Sequence, residues 1–340
     1  MSLRMCARIL DAGRWTRSCD DAASGDARRA RAEHIMPRFN RIVCPVDLSD
    51  SSQRALDHAM AIARWHGATV CVLHVHQLVT PAFAAAPALA AEAFQVIRLS
   101  DPEREQLEAS VRDWVAADAA PGVSVETAVR EEFSVAETIV SYAAGIGADL
   151  IAIATHGRSG FRKFVLGSVA EKVMRTSPCA VLVVPPHAPD AVPRAPVAYQ
   201  RILCPLDFSA SSPRALDTAS TLAAEAGGRV TALHIIEIPA ELSDLPTPDL
   251  AEYRTMCFEQ ARRCLKTMTA SVRQSCGVDE LLLAGKPSRE ILRLADEQQA
   301  DLIVMGAQGR GAIDRMLFGS VTQHVVRQAA CPVLTVPTAE

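Results

Sequence analysis

Apolar positions in this chain fall into short unbroken runs, separated by stretches in which apolar residues recur three and four apart. The runs at 41–46, 69–75, 123–129, 149–154 and 180–184 are rich in β-branched residues and end at turn formers, so they predict strands. A second series at 201–206, 229–236, 278–284, 301–305 and 332–336 predicts five more. Between the first two runs, Ala55, Leu56, Ala59, Ile62 and Ala63 make one helical stripe, and Ala215, Leu216, Ala219, Leu222 and Ala223 repeat it. Ser212 followed by Pro213 reads as an N-cap and a first helical residue. Strands that are apolar throughout, with helices between them, indicate a parallel sheet covered on both faces. Ligands of such sheets sit beyond the carboxyl ends of the strands, where the strand order reverses.

The two series are copies. Residues 41–56, RIVCPVDLSDSSQRAL, correspond to 201–216, RILCPLDFSASSPRAL, and LHVH at 73–76 corresponds to LHII at 233–236. Further on, ADLIAIATHGRSGFRKFVLGSVAEKVMR at 148–175 corresponds to ADLIVMGAQGRGAIDRMLFGSVTQHVVR at 300–327. The offset falls from 160 to 152, so the second copy is eight residues shorter between its second and fourth strands. A period this long means a duplicated domain rather than a solenoid. The expected division is an extension at 1–38, disordered or artefactual; a first domain at 39–186; a Pro-rich linker at 187–198; and a second domain at 199–340. Two irregular stretches stand at equivalent places, VTPAFAAAPALAAEAF at 79–94 and EIPAELSDLPTPDLAEY at 237–253, and read as lids or connectors.

Composition narrows the function classes. A chain of 340 residues with 49% apolar and 22% charged residues suits two globular domains. The net charge of −4 argues against a nucleic-acid partner bound through basic excess, and no apolar run is long enough to span a membrane. The ten cysteines show no metal-binding spacing, and Cys44, Cys71, Cys204 and Cys331 fall in apolar stretches, as buried thiols of a reducing compartment do. No metal site built from protein side chains is expected, and the expected location is cytoplasmic. Residues 1–35 hold seven Arg and no Lys but lack a secretory apolar segment, and Met36 is a candidate start.

The chemistry concentrates after the fourth strand of the second copy. Gly306, Ala307, Gln308 and Gly309 are followed, nine residues on, by Gly319 and Ser320, which open a helix pattern: G-x2-G-x9-G-S. Glycines let a backbone approach a phosphate, and a Gly-Ser pair at a helix start offers N–H donors, a hydroxyl and the positive end of the helix dipole. A side chain at Gly306 is expected to fill space needed by phosphate or ribose. The first copy carries Ala154, Thr155, His156 and Gly157, then Gly167 and Ser168, so a methyl group replaces the first glycine. That methyl either crowds a ligand or is tolerated. His74 and His234 read as core or loop histidines; Arg158 and Arg310 read as solvated, with phosphate pairing as the alternative. The GKPS at 285–288 is not a P-loop, because Glu280 stands where that motif needs glycine and Pro287 interrupts it.

These motifs, with CPLDFS, LHII, GKPSREIL and CPVLTVP, resemble the universal stress protein family over nearly all of 39–338, twice. The resemblance implies two doubly wound α/β domains, each with a five-stranded parallel sheet in order 3-2-1-4-5, paired within the chain through their last strands; homodimerisation stays open. It implies ATP as ligand, with Mg²⁺. By the family's pattern Pro205, Asp207 and Ile235 line adenine and ribose, Met305 and Gly306 surround the nucleoside, and Gly309, Gly319, Ser320 and Val321 surround the phosphates. The corresponding positions of a second site are Pro45, Asp47, Val75, Ile153, Ala154, Gly157, Gly167, Ser168 and Val169. Read from the residues alone, Asp207 suits a ribose hydroxyl or an adenine amino group, and equally a turn or cap. The implied function is a nucleotide-dependent sensor or regulator of stress response acting on a protein partner, not an enzyme. The alternatives are a nucleotide-free interaction protein and a slow ATPase; no base or metal carboxylate pair stands at the loop.

Overall fold

The computed structural model describes residues 38–78, 98–117, 122–155, 166–186, 197–237, 247–309 and 318–338. All of 79–94 and most of the linker, with His156, Gly157, Arg158 and Arg310, lie outside them. The chain divides into two compact units, Phe39–Val197 (domain 1) and the stretch from Ala198 to Glu340 (domain 2).

Domain 1 runs β1 (Arg41–Val46), α1 (Asp50–His66), β2 (Thr69–Gln77), α2 (Asp101–Ala116), β3 (Ser124–Glu132), α3 (Val135–Gly145), β4 (Leu150–Ala154), α4 (Ser168–Thr176) and β5 (Ala180–Val184). Domain 2 repeats the order with β6 (Arg201–Pro205), α5 (Ser212–Ala226), β7 (Arg229–Ile236), α6 (Thr247–Thr269), β8 (Gly277–Ala284), α7 (Pro287–Glu297), β9 (Leu302–Gly306), α8 (Ser320–Gln328) and β10 (Val333–Val336). Strand order is β3-β2-β1-β4-β5 in domain 1 and β8-β7-β6-β9-β10 in domain 2. Every pairing within each domain is parallel. Each sheet is therefore doubly wound, with its switch point between the first and fourth strands, β1/β4 and β6/β9.

The apolar pattern explains the layers. Ile42, Val43 and Cys44 on β1, and Ile202, Leu203 and Cys204 on β6, are at most 1% exposed. They are covered by the helical stripes, in which Ala55, Leu56, Ala59, Ile62 and Ala63, like Ala215, Leu216, Ala219, Leu222 and Ala223, are equally buried. Each Leu or Ile buried in this way contributes about 1.5–3 kcal/mol. Cys71 and Cys331 are buried too, and burial pushes the Cys71 thiol up to about 11 and that of Cys331 up to about 12. A repeated aspartate, not singled out by the pattern, fixes the start of each first strand. Asp149 Oδ2 accepts from the amides of Asn40 and Arg41 (2.7 and 3.0 Å), and Asp301 Oδ2 from those of Gln200 and Arg201 (3.0 and 2.8 Å).

Three local expectations need correction. α5 begins at Ser212 with Ser211 as its N-cap residue, one position earlier than expected, because the Ser212 hydroxyl is taken up by Asp207 (2.8 Å). The stretch 237–253 is helical from Thr247, where Pro248 suits a first turn. β3 continues past 129 to Glu132, since its polar end keeps pairing with β2 through His76 and Gln77. Among the described residues no helix is long and apolar enough to cross a membrane.

Candidate functional site

The first strand of each domain ends in a strained turn. After Pro205 the chain passes through Leu206 and Asp207 to Phe208 at φ +60°; in domain 1 Leu48 follows Asp47 at φ +63°. A side chain in the left-handed region costs roughly 1–2 kcal/mol, so the surroundings must hold it there. They do so with a histidine one strand away. His234 Nδ1 lies 2.7 Å from the Leu206 carbonyl oxygen, and His74 Nδ1 lies 2.9 Å from that of Val46. In domain 2 the Phe208 ring also stacks on His234, with centroids 4.2 Å apart.

Asp207 serves this turn with one of its two oxygens. Oδ1 accepts from the Ser209 amide (3.0 Å) and from the Ser212 hydroxyl (2.8 Å), while Ser212 Oγ accepts from the Asp207 amide (3.2 Å). Asp47 Oδ1 accepts likewise from the amide and the hydroxyl of Ser49 (3.1 and 2.5 Å). The turn role of Asp207 is thus real. Its second oxygen faces the glycine loop: a Cβ on Gly309 would stand 3.0 Å from Asp207 Oδ2.

That loop leaves β9 across the switch point. Ala307 donates to the Val336 carbonyl (2.9 Å), and Gly319 donates to that of Ala307 (3.0 Å), so the start of α8 is tied to the end of β9. The Thr322 hydroxyl donates to the Gly306 carbonyl (3.0 Å). The Ser211 hydroxyl donates to the Gln308 carbonyl (2.8 Å), and the Thr338 hydroxyl to Gln308 Oε1 (3.2 Å). Asp207, Gly306, Gly309 and Gly319 therefore share one end of the sheet. Pro205 and Met305 close the strands beneath them, Ile235 stands on β7 beside β6, and Ser320 and Val321 open α8. In domain 1 Pro45, Asp47, Val75, Ile153, Ala154, Gly167, Ser168 and Val169 hold the equivalent places, and the Gly167 amide donates to the Thr155 carbonyl (2.7 Å).

The signature glycines differ in why they are glycine. A Cβ on Gly306 would stand 2.1 Å from Ser211 Oγ and 2.9 Å from Ser211 Cβ. A side chain there meets the protein's own serine, in addition to any ligand space it would fill. Gly319 has φ −61°, which any residue adopts, and a Cβ on it would find nothing nearer than Thr322 Oγ1 at 3.4 Å. Among the described residues no contact forbids a side chain at Gly319. It is the N-cap of α8 and makes no side-chain cap bond, so the first-turn amides and the positive end of the helix are presented without a competing side chain. Gly167 caps α4 in the same way.

The profile of the Universal stress protein family matches residues 38–185 and again 198–337. The chain belongs to that family. It is a tandem universal stress protein, with one family domain in each half. A universal stress protein of Mycolicibacterium smegmatis is 28% identical over 304 residues, covering 87% of this chain and 96% of that protein. One of Thermus aquaticus is 35% identical over 139 residues, 41% of this chain and 98% of its own length. The crystal structure of a universal stress protein from Archaeoglobus fulgidus superposes with a TM-score of 0.60 at 23% identity, over 89% of this chain and 98% of that one, and shares the fold.

Sequence reasoning missed Ser209, Ser211, Thr322 and Thr338, the hydroxyls that pin the domain 2 loop. A cue was present in the repeat itself. The positions matching Thr322 and Thr338 are Ala170 and Pro186, so two of the four hydroxyls vanish where Gly306 becomes Ala154.

Proposed function

We propose that this protein binds ATP, with Mg²⁺, in domain 2 and works as a nucleotide-dependent regulator whose state a protein partner reads. The observation that carries the reading is the α8 start: a glycine N-cap that no contact among the described residues requires, making no side-chain cap bond and opening beside Gly309 at the switch point. The phosphates belong at this positive end, with Gly309, Gly319, Ser320 and Val321. The carboxylate of Asp207 would repel phosphate and suits a ribose hydroxyl, with Pro205, Ile235, Met305 and Gly306 around the nucleoside. Mg²⁺ would be held chiefly by the phosphates, since no cluster of metal-ligating side chains occurs among the described residues.

Regulation fits better than fast turnover. Among the described residues of the site the carboxylate is Asp207, which already spends one oxygen on the turn, so hydrolysis would rest chiefly on positioning. Domain 1 favours the nucleotide-free reading for its own site, because Ala154 replaces Gly306 and the hydroxyls of Thr322 and Thr338 have no counterparts. Calorimetric titration of MgATP into nucleotide-stripped protein tests this: one ATP per chain is expected. Two per chain would show that domain 1 tolerates its methyl, and no binding by two independent methods would leave an interaction protein.

A further inference from the structure

Among the hydroxyls that pin the domain 2 loop, that of Ser211 has unusual surroundings. The residue is fully buried at the mouth of the switch point, in the helical conformation (φ −83°, ψ −20°) one residue before α5. Its Oγ occupies the notch that Gly306 leaves open, where a single methyl would stand 2.1 Å away. From there it donates to the Gln308 carbonyl at 2.8 Å, while the Ser209 hydroxyl lies 3.0 Å from Ser211 Oγ and 3.5 Å from the same carbonyl. This bridge spans the crevice from the β6 turn to the β9 loop.

We propose that Ser211 is a positioning residue of the domain 2 site: it fixes the Gln308–Gly309 peptide so that the Gly309 N–H is turned toward the start of α8, where a phosphate would lie. The inference rests on the nucleotide reading given above. A trans peptide is planar, so its C=O and N–H point in opposite directions. With the Gln308 oxygen held on Ser211, the Gly309 N–H is directed away from Ser211. Gly309 N lies 3.5 Å from where a Gly319 Cβ would stand, which places that donor beside the uncapped amides of α8. Successive amides converging on one point make an anion-binding concavity, and orienting one of them in advance spares the ligand that cost.

Domain 1 differs at the residues that make this bridge. Ala154 carries the methyl that would exclude a serine hydroxyl from the notch. Correspondingly, α1 begins at Asp50, the match of Ala210, so that Ser51, the match of Ser211, lies inside the helix. Ser49, the match of Ser209, is spent as the N-cap, accepting from the Ser52 amide at 3.3 Å. Gly306 leaves the room that Ser211 occupies, so the two form one unit, and domain 1 carries Ala154 in place of the glycine.

The test uses the full chain with four variants, Ser211→Ala, Gly306→Ala, Ser211→Gly and the double variant Gly306→Ala/Ser211→Gly. Each is titrated with MgATP and with adenosine, and melted without ligand. Ser211→Ala is expected to weaken ATP about tenfold and leave adenosine within about twofold, because only a phosphate contact is lost. Gly306→Ala is expected to lower Tm, and adding Ser211→Gly to recover it, while ATP binding stays as weak as in Ser211→Ala. Equal losses for ATP and adenosine, or wild-type ATP affinity in Ser211→Ala, would overturn the role of Ser211 while leaving the site assignment standing. Wild-type protein that takes up neither ligand would overturn both. Failure of Ser211→Gly to recover the Tm of Gly306→Ala would refute the pairing of the two residues.

Discussion

The two domains share strand order, a strained aspartate turn, a histidine that holds that turn and a glycine-capped fourth helix, yet the serines that open their first helices are placed differently. In domain 2, Ser211 reaches across to Gln308, Thr322 to Gly306 and Thr338 to the Gln308 side chain. In domain 1 Ser49, the match of Ser209, donates to Asp47 and caps α1, and Ser51, the match of Ser211, is a residue of that helix. Ala154 carries a methyl group at the position where Gly306 leaves room for the crossing hydroxyl. The first helix of domain 1 starts two residues earlier relative to the repeat, and Ser49 caps it. A duplicated fold can thus keep its sheet and change the chemistry at the switch point by a change at the end of one strand.

The largest effect that would break the symmetry of the pair is one of stability. Both first helices end on a glycine in the left-handed conformation, Gly67 at φ 67° and Gly227 at φ 66°. The next residue is Ala68 in domain 1 but Gly228 in domain 2. A Cβ on Gly228 would stand 2.4 Å from the Tyr199 carbonyl oxygen and 2.7 Å from Gln200 Cα, both backbone atoms that cannot rotate away. Gly228→Ala is therefore expected to destabilise domain 2 by about 2–4 kcal/mol, whereas Ala68→Gly should cost domain 1 about 1 kcal/mol or less. Denaturant unfolding followed by hydrogen exchange in each domain would read both. A silent Gly228→Ala would mean that the chain before β6 shifts freely to make room.

How much of this was legible in the sequence depends on the range of the forces involved. The strands and the α1 and α5 stripes could be read because burial imposes a period, and Ile42, Leu56, Ile202 and Leu216 obey it. The loop glycines stood out by spacing, and the fold brings Gly306, Gly309 and Gly319 to one end of the sheet. What could not be read was why each is glycine. Gly306 answers to Ser211, which is remote along the chain, and only the assembled sheet brings the two into contact. Helix starts were misplaced for a related reason: Ser211 and Ser212 are both good caps by type, and the choice between them is made by Asp207 taking the second hydroxyl. The helix beginning at Thr247 was hidden by Pro246 and Pro248, which resemble loop residues until a first turn is seen to accept one.

A smaller effect sharpens the comparison at the ligand. Gly319 and Gly167 both cap their helices without a side chain, so the first-turn amides are offered outward in each domain. Gly319→Ser adds a hydroxyl that fits beside Thr322 and caps those amides itself. The fold should be unharmed or slightly stabilised, while MgATP affinity drops about tenfold because ligand and side chain now compete for the same donors. Gly167→Ser should leave ATP stoichiometry unchanged if domain 1 carries no nucleotide. Loss of binding on Gly167→Ser alone would place the working site in the wrong domain.

The smallest effect separates the two uses of one serine. Ser49 and Ser209 match in the repeat, but only Ser49 is a helix cap, in a reciprocal box where Ser49 Oγ accepts from the Ser52 amide and Ser52 Oγ accepts from the Ser49 amide (3.3 and 3.1 Å). Its removal exposes donors that the helix cannot satisfy internally, so Ser49→Ala should cost about 1 kcal/mol and speed exchange in the first turn of α1. Ser209 makes no such bond; its hydroxyl faces Ser211 and the Gln308 carbonyl. Ser209→Ala should leave exchange at the start of α5 unchanged and instead loosen the loop around Gln308, by a few tenths of a kcal/mol, since the Ser211 bond persists. Equal protection losses in both helices would show that the serines still act as caps in both domains.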